Sequence, residues 1–331
     1  MKTLGIRGSI AAAAAAGLLV LTSCGGGEEA PADGDNAAQD GQLTQVSIGV
    51  IPIVDVAPIY LGAKEGIFEE HGLELDLTLA QGGAAIIPAV QSGDFDFGFS
   101  NVTSLVIGQS QGLPLQLVAP GPQTTGNAGE DFSSLLVPED SDAESIADLE
   151  GRSVAVNTLN NINDTVLKEG LSQADGDPEK MNLVEVAFPD MGGQLESGNV
   201  DAIMAVEPFA TLAKDAGARE IYSPYAEPIE DLMIAGYFAS TDMVEEDPEL
   251  VDAFVAAMKE SQQYAEDNPE EAKAILPEYS EIDPDIIDDL NMPKFPQEIN
   301  MESTERIIEL SVETGLIDES IDVSELVRDD S

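Results

Sequence analysis

The sequence is short of the residues on which most catalysis and metal binding depend. One histidine, His71, and one cysteine, Cys24, occur in 331 residues, and tryptophan is absent. A single cysteine excludes a disulfide within the chain and any Cys-x-x-Cys pair. A single histidine excludes the paired-histidine zinc motif and leaves one conceivable base for a Ser-His-Asp triad. His71 stands beside Gly72, at a helix end where a charged imidazole suits the dipole, so it reads as a surface residue. No phosphate-binding G-x-x-x-x-G-K-[ST] loop is present. Asp33, Asp35 and Asn36 lack the spacing of a calcium loop. No metal, no cofactor and no enzymatic activity are therefore expected. Positive charge is equally scarce: 13 Lys and Arg stand against 64 Asp and Glu, for a net −51. That balance excludes nucleic-acid binding by a basic surface and charge-driven attachment to anionic lipid. The N-terminal apolar run, Ile10 to Leu21, has 12 residues, too few for a bilayer span of about 20.

What is present at the N-terminus reads as a targeting signal. Lys2 and Arg7 precede the apolar run, which ends in Leu21-Thr22-Ser23-Cys24. That tetrapeptide resembles the bacterial lipoprotein cleavage box, in which the cysteine is acylated and becomes the new N-terminus. The expectation is a signal peptide over 1–23, lipidation at Cys24, and an extracytoplasmic protein held at the cell membrane. Residues 24–45, rich in Gly, Ala, Asp and Glu, read as a flexible tether, since they lack the apolar surface to offset ordering. Loss of Lys2 and Arg7 leaves 11 basic residues and a net −53. The acid is spread along the chain, which reads as adaptation to salt, a surface that repels itself and needs counter-ions.

The body, from about Val46 to Val327, is long enough for two domains. Leu73 to Leu79 alternates strictly between apolar and polar residues, a half-buried strand. Strand signals at 46–52, 95–99 and 115–119 alternate with helical spacing at 58–70, 84–91 and 104–111, the pattern of βαβ units and a mainly parallel sheet. A second series follows from Val154 to Ala216. One junction occurs in both series: Gln91-Ser92-Gly93-Asp94-Phe95-Asp96 and Glu196-Ser197-Gly198-Asn199-Val200-Asp201, with the serines 105 positions apart. Each is a helix stop, a turn and an apolar strand, which implies two lobes of like topology. Asp247-Pro248 and Asn268-Pro269 each open a helix in a C-terminal third without strand signals.

The stretch Ile48-Gly49-Val50-Ile51-Pro52 to Leu79, with Asp55, Ala57, Pro58, Tyr60, Lys64, Gly66, Phe68 and Gly72, resembles the start of a known family of binding proteins. These are the ABC-transporter proteins for aliphatic sulfonates, taurine, nitrate and thiamine-pyrimidine precursors. Pro88 to Gly93, Asp96-Phe97-Gly98, Gly112 to Leu115, Leu149 to Val156, Asp201-Ala202, Glu207 to Ala210 and Pro248 to Val251 continue the likeness in order. The resemblance implies an α/β, two-lobed periplasmic-binding-protein type II fold, each lobe a mainly parallel sheet flanked by helices, with a helical C-terminal region. It implies lobe I over 46–137 and 235–331, lobe II over 138–234, and crossings near Leu135–Pro138 and Leu232–Tyr237. It further implies capture of a small polar solute by lobe closure and delivery to an ABC permease and ATPase, by a protein expected to act as a monomer. An enzyme of the same fold related to thiamine-pyrimidine synthesis, or a tethered sensor, is the alternative.

Ligands of open parallel sheets sit beyond the carboxyl ends of the strands. That rule selects Pro52 and Asp55, then Gln81, Gly82 and Gly83, then Ser100, Asn101 and Thr103 in the first half. In the second half it selects Asn157, Thr158 and Asn160, then Glu207 and Phe209. Asp55 reads either as a helix cap or as the partner of a ligand amine. Ser100, Asn101, Thr103, Asn157 and Asn160 read equally as caps, turns or ligand contacts, Gly82-Gly83 as a turn, and Phe209 as core or ligand wall. Glu207, before Pro208, suits a helix start as well as a ligand contact. None of these loops holds Lys or Arg, which argues against nitrate and for a ligand bearing an amine or a nitrogen heterocycle, such as an amino-sulfonate or a pyrimidine precursor.

Overall fold

Period-two alternation carries Leu73, Leu75 and Leu77 inward and leaves Glu74, Asp76 and Thr78 outside, as an edge strand with one covered face requires. The computed structural model describes residues 43–280 and 282–328. The expected signal peptide, Cys24 and nearly all of the tether lie outside them. The strands are β1 (Thr44–Val50), β2 (Leu73–Leu79), β3 (Phe97–Asn101), β4 (Leu115–Pro120), β5 (Ser133–Pro138), β6 (Ser153–Val156), β7 (Asn182–Glu185), β8 (Ala202–Val206), β9 (Ala218–Tyr222) and β10 (Ala235–Ser240). β1 thus begins inside the stretch expected as tether.

Two five-stranded sheets form, in the orders β2-β1-β3-β10-β4 and β7-β6-β8-β5-β9. Within each, β1 with β2 and β3, and β6 with β7 and β8, pair in parallel. β10 runs antiparallel to β3 and β4, and β5 antiparallel to β8 and β9. The sheets are therefore mixed and share one plan, with four strands running one way and a single strand, β10 or β5, running against them. Helices Gly83–Ser92 and Phe188–Glu196 occupy corresponding places ahead of β3 and β8.

The repeated junction has the same atomic basis in both sheets. Ser47 donates its backbone N–H and its hydroxyl to Asp96 Oδ2, each at 2.8 Å, and Asp96 N donates back to Ser47 Oγ at 3.1 Å. Ser153 and Asp201 repeat the clasp at 2.7, 2.7 and 3.0 Å. The clasp ties the middle of β1 to the start of β3 and the start of β6 to the start of β8, fixing register where a one-residue slip would invert the buried face. Gly93 and Gly198, at φ 76° and 67°, release the chain from its helix in the left-handed region that other residues avoid.

Two expectations are corrected. Leu135–Pro138 is no crossing but part of β5, inside the second sheet; the chain changes sheets between Pro120 and Ser133, and returns between Tyr222 and Ala235. These two connecting segments pair with each other, through Thr124 N to Leu232 O at 2.9 Å and Ile234 N to Pro122 O at 3.0 Å. Lys294 adds a third segment, exchanging both backbone bonds with Gln123. The single helix expected over 58–70 is broken at Gly66 into Ala57–Glu65 and Ile67–Glu70.

The long helix Pro248–Asp267 starts as its sequence implies, with the Asp247 carboxylate accepting from Leu250 N at 3.2 Å. It packs on the first sheet. Phe254 stacks on Phe97 with ring centroids 4.0 Å apart, and Tyr237 lies edge-on to Phe254 at 5.8 Å.

Candidate functional site

The carboxyl ends of β1, β3, β6 and β8 face one another across the space between the sheets. A cavity lies there, lined from the first sheet's side by Ile51, Ile53, Asp55, Gly83, Phe99 and Asn101. The second side supplies Asn157, Asn161, Ile162, Asn163, Phe188, Val206 and Tyr225, and the returning segment adds Ile234 and Ala235. The cavity is small, about 30 Å³, room for roughly two water molecules.

The space is nearly shut because the two sides bond across it. Val54 N donates to Glu207 O at 3.2 Å, and Ile162 N to Asn101 Oδ1 at 3.3 Å. The Thr103 and Thr165 hydroxyls meet at 3.3 Å, and Arg306 reaches Glu169 at the same distance. Asn101 also caps its own helix, Val102–Ser110, by accepting from Ser104 N at 2.9 Å.

An amide network furnishes the second side. Tyr225 donates its hydroxyl to Asn163 Oδ1 at 2.7 Å, and Asn163 Nδ2 donates to Asn157 Oδ1 at 2.9 Å. Asn161 Nδ2 donates to the same oxygen at 3.0 Å, while Asn161 Oδ1 caps helix Ile162–Gln173 by accepting from Asn163 N. Buried amides must be paired or pay for lost hydration, and here each oxygen is used. Asn161 and Asn163 are almost wholly buried.

Asp55 is the only charged residue of the lining. It is 3 % exposed, and its Oδ1 has no hydrogen-bond partner. Burial, opposed by its own backbone N–H and reinforced by the nearby Asp131 carboxylate, pushes its pKa up to about 7. The cap reading of Asp55 is corrected: neither the 3₁₀ turn Val54–Val56 nor the helix Ala57–Glu65 takes a side-chain cap. Asp131, by contrast, is satisfied by Thr124 Oγ1, Thr125 N and Thr125 Oγ1 at 2.8–3.0 Å.

Of the residues selected from sequence, Asp55, Gly83, Asn101 and Asn157 reach the cavity wall. The others do other work. Glu207 is fully buried, with one carboxylate oxygen accepting from Thr211 N at 3.0 Å and the other from Thr211 Oγ1 at 2.8 Å. It holds the start of helix Phe209–Asp215, and burial raises its pKa against those bonds. Asn160 takes a left-handed turn at φ 55° and donates its N–H to Asp164. Phe209 stacks on the lining residue Phe188 at 5.9 Å. Thr103 is spent on Thr165, and buried Ser100 abuts Gly83. Gly82 approaches Thr158 across the gap, Gln81 is exposed, and Pro52 is half-buried beside the lining.

Sequence reasoning missed Asn161, Asn163, Phe188 and Tyr225. The first two carried a signal, four asparagines within Asn157 to Asn163, of which only the loop portion was selected. Tyr225 comes from the segment that returns to the first sheet, and no strand-end rule reaches it.

Gly83 is where the wall tolerates no side chain. A Cβ there would lie 2.1 Å from Ser100 Oγ and 2.7 Å from Ser100 Cα. Gly83→Ala is expected to cost about 2 kcal/mol through overpacking, or roughly 5 °C of melting temperature by calorimetry. Gly193→Ala, on an exposed helical position with open space, serves as control and is expected to melt no lower than the parent. Equal melting of the two variants would contradict the close packing.

The sequence profile of the NMT1/THI5-like family matches residues 53–272. A formylaminopyrimidine-binding protein of Halalkalibacterium halodurans is 25% identical over 223 residues, 66% of this chain and 64% of the relative; the chain thus matches a little under two thirds of that protein's length. Among solved structures, the alkanesulfonate-binding protein SsuA of Xanthomonas axonopodis bound to MOPS superposes with a TM-score of 0.74. Its identity is 17%, covering 86% of this chain and 98% of that one. The periplasmic nitrate-binding protein NrtA of Synechocystis gives a TM-score of 0.70 at 14% identity, covering 87% of each chain. At these identities the two structures share the fold with this chain. No helix among the described residues is long and apolar enough to cross a membrane.

Proposed function

The chain belongs to the NMT1/THI5-like family, and from that premise we propose that it is the extracytoplasmic solute-binding component of an ABC importer, held at the membrane by a lipid on Cys24. The two sheets, with the helices around each, act as lobes that part to admit a solute and close over it. Closure is selected because only then do both sides touch the ligand. The carrying observation is the cavity itself, at the strand carboxyl ends, with walls drawn from both sheets. The closed lobes are the form that the permease and ATPase recognise, and the protein works as a monomer.

Its chemistry favours one end of the range of solutes. Ile51, Ile53, Phe99, Phe188 and Val206 give apolar walls, the asparagines give directional hydrogen bonds, and no Lys or Arg is present in the lining to hold an anion. A buried carboxylate would repel nitrate or a sulfonate. A small nitrogen-containing organic molecule of the pyrimidine-precursor kind fits both the walls and the acid, and agrees with the ligand for which the Halalkalibacterium relative is named. Catalysis has no support in the lining, which offers no nucleophile beside a base.

Calorimetric titration of the protein lacking residues 1–23 with aminopyrimidines, taurine, alkanesulfonates and nitrate tests this. One-to-one binding of an aminopyrimidine at micromolar concentration is expected, with nitrate and sulfonates at least 100-fold weaker. Micromolar nitrate binding would refute the ligand class.

A further inference from the structure

We propose that the cavity takes its ligand as a monocation, with Asp55 as sole counter-charge and the aromatic faces of Phe99, Phe188 and Tyr225 as its walls. This deepens the solute-binding reading and rests on it. The lining holds one acid, no base, and a set of neutral amides whose oxygens already accept hydrogen bonds from one another, from Tyr225 or from backbone N–H groups. The one acceptor atom left without a partner among these groups is Asp55 Oδ1. A buried carboxylate oxygen that nothing satisfies is retained at a cost, and a cationic N–H supplies both the missing bond and the missing charge. Aromatic rings around such a cation add attraction through their negative faces.

The surroundings of Asp55 offer no rival partner. Asp131 faces it with a like charge, and its oxygens are bonded to Thr124 and Thr125. Tyr225, Tyr237 and Tyr279 each sense the Asp55 charge. Of their hydroxyls, Tyr225 is given to Asn163 and Tyr279 to Ile53 O at 3.0 Å. The Tyr237 hydroxyl is buried and makes no hydrogen bond, to Asp55 or to any other group, and as a neutral donor it brings no charge to balance a carboxylate. From the second side, Glu207 turns its carboxylate to Thr211 and offers this region only its backbone carbonyl. With its pKa near 7, the Asp55 carboxyl is about half protonated at neutral pH. Arrival of a ligand already carrying its positive charge ionises it, and the displaced proton leaves to solvent. The balance is a neutral acid plus a cation giving an ion pair plus one proton.

The test uses 4-aminopyridine, which is cationic at neutral pH, and aniline, which has the same outline and is uncharged. Both are titrated up to millimolar concentration into the protein lacking residues 1–23, at pH 6.5, in two buffers of different ionisation enthalpy. The expected result is 4-aminopyridine binding at least tenfold more tightly than aniline, with a buffer-dependent heat that reports proton release. Asp55→Asn is expected to abolish both the preference and the proton release. Phe188→Leu, which leaves the acid in place, is expected to weaken the cation several-fold and to keep the proton release. Aniline binding as tightly as 4-aminopyridine, or no binding of the cation at all, overturns the assignment. Binding of methanesulfonate in place of the cation overturns the charge assignment while leaving solute binding intact. Failure of every solute in this and the preceding panel strikes the solute-binding reading itself.

Discussion

Asp55→Asn is expected to raise the melting temperature at pH 8 in the absence of ligand and to remove ligand stabilisation altogether. The folded pKa of about 7 lies above the ordinary value of 3.8, so the folded protein holds this proton more tightly than the unfolded chain does. The stability tied to that proton is complete below pH ~4 and is lost as pH rises through ~7. Above pH 7 the fold carries a buried, unpartnered carboxylate, at a cost of up to about 4 kcal/mol by the size of the shift. Asparagine has nearly the same shape and no proton to lose. At pH 8 the variant should therefore melt several degrees above its parent, and the gain should shrink as pH falls towards 4. Comparing parent with variant at each pH cancels the contribution of other buried acids, among them Asp164, which burial raises to about 6. With saturating cationic ligand the order should reverse. Removing one partner of a buried ion pair costs roughly 3 kcal/mol or more, beyond 100-fold in affinity. A variant that melts no higher than its parent at pH 8 would mean that the Asp55 carboxylate is already stabilised by the fold.

The second large effect is expected from salt. With 64 acidic and 13 basic residues, repulsion among carboxylates outweighs the attraction of the ion pairs. Those pairs, such as Lys64–Glu278 and Arg328–Asp252, both at 2.6 Å, are at the surface, where each is worth little. Raising NaCl from 0.1 M to 2 M shortens the screening length from about 10 Å to less than 3 Å. Repulsion between neighbouring carboxylates is then largely removed, and the loss of a few surface pairs is small beside it. A rise of roughly 10 °C in melting temperature is expected, the equivalent of about 3–5 kcal/mol for a domain of this size. A flat or falling curve in a thermal scan across that range would show that the acidic surface carries no such penalty.

Much of the architecture was legible because it is written locally. Strict alternation named β2, the Ser-Gly stops named the two halves, and Asp247-Pro248 named the start of the long helix. The antiparallel members β5 and β10 were not legible as such. Both are apolar runs beside a chain crossing, and direction within a sheet depends on where the chain returns, which no short window records. For the same reason the sequence places a crossing at Leu135–Pro138, which lies inside β5. In the site, the strand-end rule found Asp55, Gly83, Asn101 and Asn157, whose backbone positions alone bring them to the wall. It could not tell Asp55 from Glu207, two acids that each lie beyond the carboxyl end of a strand. What separates them is Thr211, one turn into the following helix, which occupies both oxygens of Glu207, whereas Asp55 Oδ1 is left unmet. Tyr225 and Phe188 come from segments with no motif, and only packing places them.

The paired clasps, Ser47 with Asp96 and Ser153 with Asp201, bear on how such a molecule could arise. The second sheet is one unbroken stretch from Ser133 to Tyr222, and the first is interrupted to admit it. A doubled ancestral segment would have brought with it the lock that aligns its own strands, so neither copy needed the other in order to pair correctly. With its own lock, either sheet keeps its alignment whatever sequence the loops and linkers carry, and residues of the cleft can be exchanged without disturbing the strands behind them.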